Sequence, residues 1–222
     1  MSKKYNNVVK EIFLILLILI VFDIPGKVEN QVSLMIHPSN TSDSLMLTGV
    51  DTVIPIWVYL LVIGFYIFLA KKLDIAKFDL TFINKKNIII IIGVFILDRI
   101  FDSIGGEILS LQGIVDTANQ IYLEEAYSGT SWYLTFIGTS IYAPVVEEII
   151  FRGYIVGRLF KNKPVIGITI SALSFGAIHN PTDITSFMIY AMSGLLFATA
   201  YYKTKRLEVP ICIHFLVNTM PF

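Results

Sequence analysis

The 222-residue chain reads as all-α, a polytopic transmembrane helix bundle of about seven spans with an amphipathic or re-entrant segment at 98–131. Three observations point there. Hydrophobic residues make up 55% of the chain and charged residues only 15%, against about 25% charged in an ordinary soluble domain. Mean hydropathy is +0.71. Apolar runs alternate with short polar turns, and several approach the ~20 residues needed to cross a bilayer. This composition excludes a disordered chain, a coiled coil and an ordinary cytosolic enzyme. Lys plus Arg and Asp plus Glu each number 17. No basic stripe awaits a nucleic acid, so the expected surroundings are the lipid bilayer. The lone Cys212 excludes an intrachain disulfide and a multi-cysteine metal site.

The elements follow in order. MSKKYNNVVKE precedes IFLILLILIVF, a basic start before an apolar run. No small-x-small cleavage site follows, so a retained helix over 8–24 is expected. Residues 25–52, with Pro25, Pro38 and a Ser/Thr/Asn/Asp run at 39–44, read as a loop outside the bilayer. A second span covers 53–70, a short basic loop covers 71–86, and a third span begins at 88–97. Residues 98–131 mix Asp98, Arg99, Asp102, Glu107, Asp116, Glu124 and Glu125 with apolar residues, an amphipathic pattern too charged for lipid on all sides. A long helix over 132–160 is expected to bend at Pro144. Helices over 165–179, 185–202 and 209–219 complete the chain, separated by Asn180-Pro181 and a basic turn at 203–206.

Charge orients the bundle. Lys3, Lys4 and Lys10, the 71–86 loop, Arg158/Lys161/Lys163 and Lys203/Lys205/Arg206 all fall on one side of a seven-span arrangement. The positive-inside rule makes that side, and the N-terminus, cytoplasmic.

Some charges sit where lipid should be. One charge at mid-bilayer costs roughly 2.5–3.5 kcal/mol, and the long helix carries Glu147, Glu148 and Arg152. They must face protein or a wet cavity. Glu148 and Arg152 are four apart and share a face, so they can pair. Glu147 lies about 100° around the helix and stays free. A free carboxylate suits a general base that takes a proton from water. The competing reading makes all three charges bridges between helices. His179 ends one helix, four residues after Phe175; by itself it reads as a polar cap. His214 lies inside an apolar helix with Asn218 four residues on, either a polar site or an interhelical hydrogen-bond pair. His37 falls in the polar loop and reads as solvated.

In order, Glu147-Glu148-x-x-x-Arg152, Phe175-x-x-x-His179 and His214-x-x-x-Asn218 resemble the three motifs of the CaaX-protease and bacteriocin-processing (CPBP, or Abi) family of intramembrane proteases. The resemblance covers about 131–222 as a protease core and leaves 1–130 as variable N-terminal helices. It implies an intramembrane endopeptidase acting on a membrane-associated protein or peptide. By carry-over, Glu147 helped by His179 activates water, His214 and Asn218 stabilise the oxyanion, and Glu148 and Arg152 hold the site together. The family has also been described as metal-dependent, and Glu147, His179 and His214 could supply three zinc ligands with water in a fourth position. No His-Glu-x-x-His is present, and metal-free chemistry is the favoured expectation. Counted from the cytoplasmic helix ends, Glu147, His214 and His179 lie about 16, 8 and 21 Å deep. Their convergence therefore needs tilt or a broken helix near 179–185.

Three other functions compete. A non-catalytic membrane partner, such as a bacteriocin-immunity or signalling-modulator protein, would tolerate Glu147→Gln. A small transporter could use Glu147 as a proton relay, but the chain lacks repeated halves. A thiol protease built on Cys212 is disfavoured, because Cys212 and His214 are two apart and point to different faces. The Ile/Lys/Asn-rich usage points to an AT-rich bacterial genome, where a prenylated substrate is not expected.

Overall fold

The computed structural model describes residues 2–38 and 44–220, with side chains from residue 9 onward. The side chains of Lys3 and Lys4, and most of the polar run at 39–44, lie outside the described residues. Every regular element described is helical, and no strand is present among them. The helices are α1 Ser2–Phe22, α2 Ile24–Ile36, α3 Val53–Lys72, α4 Lys85–Leu111, α5 Ala118–Ala126, α6 Trp132–Leu159, α7 Pro164–Ile178, α8 Ile184–Thr204 and α9 Glu208–Thr219. Short 3₁₀ turns at Gly49–Thr52 and Leu80–Phe82 precede α3 and α4. Among the described residues, three segments are long and apolar enough to cross a membrane: Gly49–Lys72, Trp132–Leu159 and Ile184–Thr204. α7 is apolar but shorter.

Three expectations change. Residues 25–52 are not simply a loop, because α2 fills 24–36 with Pro25 in its first turn. A proline there forfeits only an N–H that a helix start leaves unbonded. The third span and the charged segment after it are one helix, α4, capped at Asn84 by a side-chain bond from the Asn87 amide. The charges do not end it because they neutralise one another. Arg99 contacts Asp98 at 2.8 Å and Asp102 at 3.4 Å. Only α5 and its flanking turns remain as the separate amphipathic piece. Finally, α6, expected to bend at Pro144, departs from α geometry on either side of it. It stays helical by widening into π turns at Ile137–Tyr142 and Ile149–Leu159 around an α segment, Ala143–Glu148. Pro144 sits in the first turn of that segment, and π turns of this kind shift which face a side chain takes.

α7 ends where expected. Asn180 adopts a left-handed φ of +49°, and Pro181 cannot continue a helix. Asp183 restarts the chain as the cap of α8, accepting from the Ser186 amide at 2.8 Å. α7 and α8 pack closely because Gly194 is bare. A Cβ there would sit 3.0 Å from the Ala172 Cα, the small-residue contact that membrane helices favour.

The bundle has two distinct ends. At one, Arg206 binds Asp79 at 2.9 Å and Glu208 at 2.6 Å, and Arg158 binds Glu11 at 2.7 Å. At the other, Leu45 bonds Ala126, Ser131 bonds Leu47, and Gln112 bonds Thr185. The core between them contains Tyr66, Leu134, Val146, Ile149 and Phe197, all nearly inaccessible.

Candidate active site

α6, α7, α8 and α9 carry the polar groups noted in the sequence, and the chain break at 179–183 is what lets them meet. Glu147, His179, His214 and Asn218 all line one cavity of about 1990 Å³. Glu148 and Arg152 do not line it. Both side chains are wholly inaccessible behind the wall.

The wall is built around Arg152. Its Nη1 donates to Glu148 Oε1 at 2.9 Å, and its Nη2 donates to the Gly194 carbonyl at 3.1 Å. The guanidinium carbon lies 4.4 Å from the Phe175 ring centroid and 5.3 Å from that of Phe197. A cation so enclosed by aromatic faces keeps its charge out of contact with lipid. Glu148 Oε1 also accepts from His214 Nδ1 at 3.0 Å. The Glu148–Arg152 pair therefore joins α6, α8 and α9.

The neighbouring Glu147 is different. It is buried, it lines the cavity, and no salt bridge reaches it among the described residues. The i,i+4 pairing thus falls on Glu148 and leaves Glu147 to the cavity.

The imidazoles are oriented by their other partners. His179 Nδ1 lies 2.7 Å from the Phe175 carbonyl. A carbonyl only accepts, so Nδ1 carries the proton, and Nε2 of the neutral ring is a base. Tyr190 stacks on this ring at 4.1 Å with a 13° tilt. The Tyr190 hydroxyl is within 2.8 Å of Thr117 Oγ1, the cap of α5. His214 packs at 5.2 Å from the Phe197 ring. Asn218 Nδ2 donates to the Thr139 carbonyl at 2.8 Å, inside the first π turn of α6. One amide hydrogen of Asn218 is used there and a second is left over.

All six expected residues belong to this arrangement, four on the cavity and two behind it. Cys212 is absent from the lining. His37 caps α2 and is likewise absent. Tyr190, Phe197 and the Gly194 carbonyl were not foreseen. Only Gly194 had a visible signal, through its spacing from Ala198 on an apolar helix. No three His, Cys, Asp or Glu side chains among the described residues are grouped to hold a metal ion. Glu147, His179 and His214 share the cavity without being grouped in this way.

Residues 129–220 match the family described as Type II CAAX prenyl endopeptidase Rce1-like. The chain is similar to the membrane-embedded CAAX protease MroQ of Staphylococcus aureus (strain USA300), 43% identical over 86 residues, 36% of this chain and 34% of that protein. It is also similar to YdiL of Bacillus subtilis (strain 168), named as a candidate membrane peptidase, 40% identical over 87 residues, 39% of this chain and 35% of that one. The UPF0177 protein YvdC of Lactococcus lactis subsp. lactis (strain IL1403) is 28% identical over 172 residues, 77% of this chain and 65% of its own length. The matches thus span about a third of the length of MroQ and YdiL. No solved structure matches the chain.

Proposed function

We propose that residues 129–220, which match the Rce1-like CAAX endopeptidase family, form the core of an intramembrane endopeptidase of the CAAX-protease and bacteriocin-processing family. The substrate is a membrane-associated protein or peptide. The observation that carries this reading is the asymmetry of the two glutamates. Glu148 is held by Arg152 and His214 behind the wall, while Glu147 lines the cavity and no salt bridge reaches it among the described residues.

The roles follow from the bonds. Glu147 takes a proton from water, and the resulting hydroxide attacks the scissile carbonyl. His179 Nε2 is the second base that can hold a proton beside it. The tetrahedral oxyanion needs donors aimed at it. The spare N–H of Asn218 is one. His214 is the other once Nε2 is protonated. The proton held by Glu147 then passes to the leaving amine, and the bond breaks. Residues 131–222 act as the proteolytic core and 1–130 as N-terminal helices. Counting α1, α4, α7 and α9 as crossings gives seven spans with a cytoplasmic N-terminus.

The test is cleavage by the purified protein in detergent. Wild type and Glu147→Gln are incubated with a mixture of candidate membrane peptides, and fragments are read by mass spectrometry. Fragments from wild type alone are expected. Fragments from both would remove Glu147 from the mechanism, and fragments from neither would favour the non-catalytic membrane partner.

A further inference from the structure

A second carboxylate enters the same cavity from a different part of the chain. Glu29 on α2 lines it and is only 2% exposed. Its Oε2 accepts from the hydroxyls of Tyr59, at 2.8 Å, and Tyr127, at 3.1 Å. The two hydroxyls are 3.4 Å apart. Oε1 has no hydrogen-bond partner. No salt bridge reaches Glu29 among the described residues; nearby Lys27 pairs with Asp23, and Arg99 with Asp98 and Asp102. Room for the cluster depends on Gly138 of α6, where a Cβ would lie 2.9 Å from the Tyr59 hydroxyl.

The cluster uses one carboxylate oxygen and leaves the other bare. Acidic groups outnumber basic ones along the rest of the wall. Asp102, Asp116, Glu124 and Glu147 line it, and the cations Arg99 and Lys27 are already paired with aspartates. A low-dielectric wall of one sign concentrates ligands of the opposite charge. Phenol rings beside a carboxylate suit an ammonium or guanidinium group.

We propose that Glu29, with Tyr59 and Tyr127, is a subsite for a positively charged group of the substrate, set apart from the bond cleaved at Glu147. The group is a Lys or Arg side chain or a free N-terminal ammonium. Calling its bearer a substrate rests on the endopeptidase reading; the subsite itself does not need cleavage.

The test therefore measures binding. Full-length protein in detergent is titrated with 20-residue apolar peptides carrying a fluorophore at the C-terminus. One set holds a single Lys moved along the peptide, with the amine acetylated. A second replaces Lys by norleucine. A third has norleucine and a free N-terminus. A Lys or free-amine peptide should bind wild type about tenfold tighter than its neutral counterpart, a factor within reach of one partly buried charge pair. Which set shows the gain identifies the source of the charge. Glu29→Gln should abolish the preference, and Glu147→Gln should keep it. Equal affinities for charged and neutral peptides in wild type would overturn the subsite, and so would a preference that survives Glu29→Gln. The wild-type comparison decides by itself if the variant does not fold. Binding with no cleavage of any peptide would sink the proteolytic reading and leave the subsite standing.

Discussion

A guanidinium with no exposed surface needs a partner for its charge, and Arg152 finds Glu148 and the Gly194 carbonyl. Arg152→Leu should therefore cost about 3–5 kcal/mol, since it leaves Glu148 buried without its cation; a thermal melt in detergent would show it. Asn218 makes the opposite prediction. On the proposed mechanism Asn218→Ala removes an oxyanion donor and should lower kcat by about 10²–10³ with little change in KM, read by peptide-cleavage kinetics. An equal fall in folded yield would instead assign Asn218 to packing through Thr139. The three motifs were legible because i,i+4 spacing fixes a shared face. Which glutamate would face the cavity was legible too, since Arg152 can reach only one of them. Tyr190 against His179 was not, because stacking between α7 and α8 depends on where the chain breaks at 179–183.

At the scale of helices, two misreadings share a cause. Polar residues suggested a loop outside the bilayer at 25–52 and a separate amphipathic or re-entrant segment at 98–131, yet Glu29 and Asp98 are buried and bonded inside the bundle. Hydropathy reports the cost of a charge and not the partner that offsets it. The π turns of α6 were equally silent, since no residue type demands them. The link between the α3–α4 loop and the α8–α9 turn lies outside the spans and can be titrated. The Thr81 hydroxyl, the Arg206 guanidinium and the Thr81 amide hold the Asp79 carboxyl down at about 2. A lowered carboxylate pKa stabilises the fold above its ordinary range, near 3.9, and the effect is lost only as pH falls toward 2. Amides at 79–82 should stay protected from hydrogen exchange at pH 4, and Arg206→Ala should deprotect them at neutral pH.

At the scale of the molecule, charge separates by end. The basic turns gather with Arg158 and Arg206, and the acidic α4–α5 region borders the cavity. If the basic end is cytoplasmic, the cavity opens to the outside. The lone Cys212 makes this measurable. In a Cys212→Ala background, the thiol of Val115→Cys should react with an impermeant maleimide on intact cells. That of Asn162→Cys should react only after permeabilisation. Val115 lines the cavity at 95% exposure, and Asn162 is exposed in the α6–α7 turn. The reverse pattern would invert the bundle.

The size of the cavity has a further consequence. At ~30 Å³ per molecule in the liquid, 1990 Å³ accommodates on the order of sixty waters. On the proposed mechanism, a hydrated inlet of that size would supply the attacking oxygen without a gate. It also solvates the amides and carbonyls of any helix that frays on entering, which lipid would not do. Unwinding before cleavage then requires no helix-breaking residue in the peptide. Peptides with an uninterrupted helical sequence should be cut at rates similar to their proline-containing counterparts.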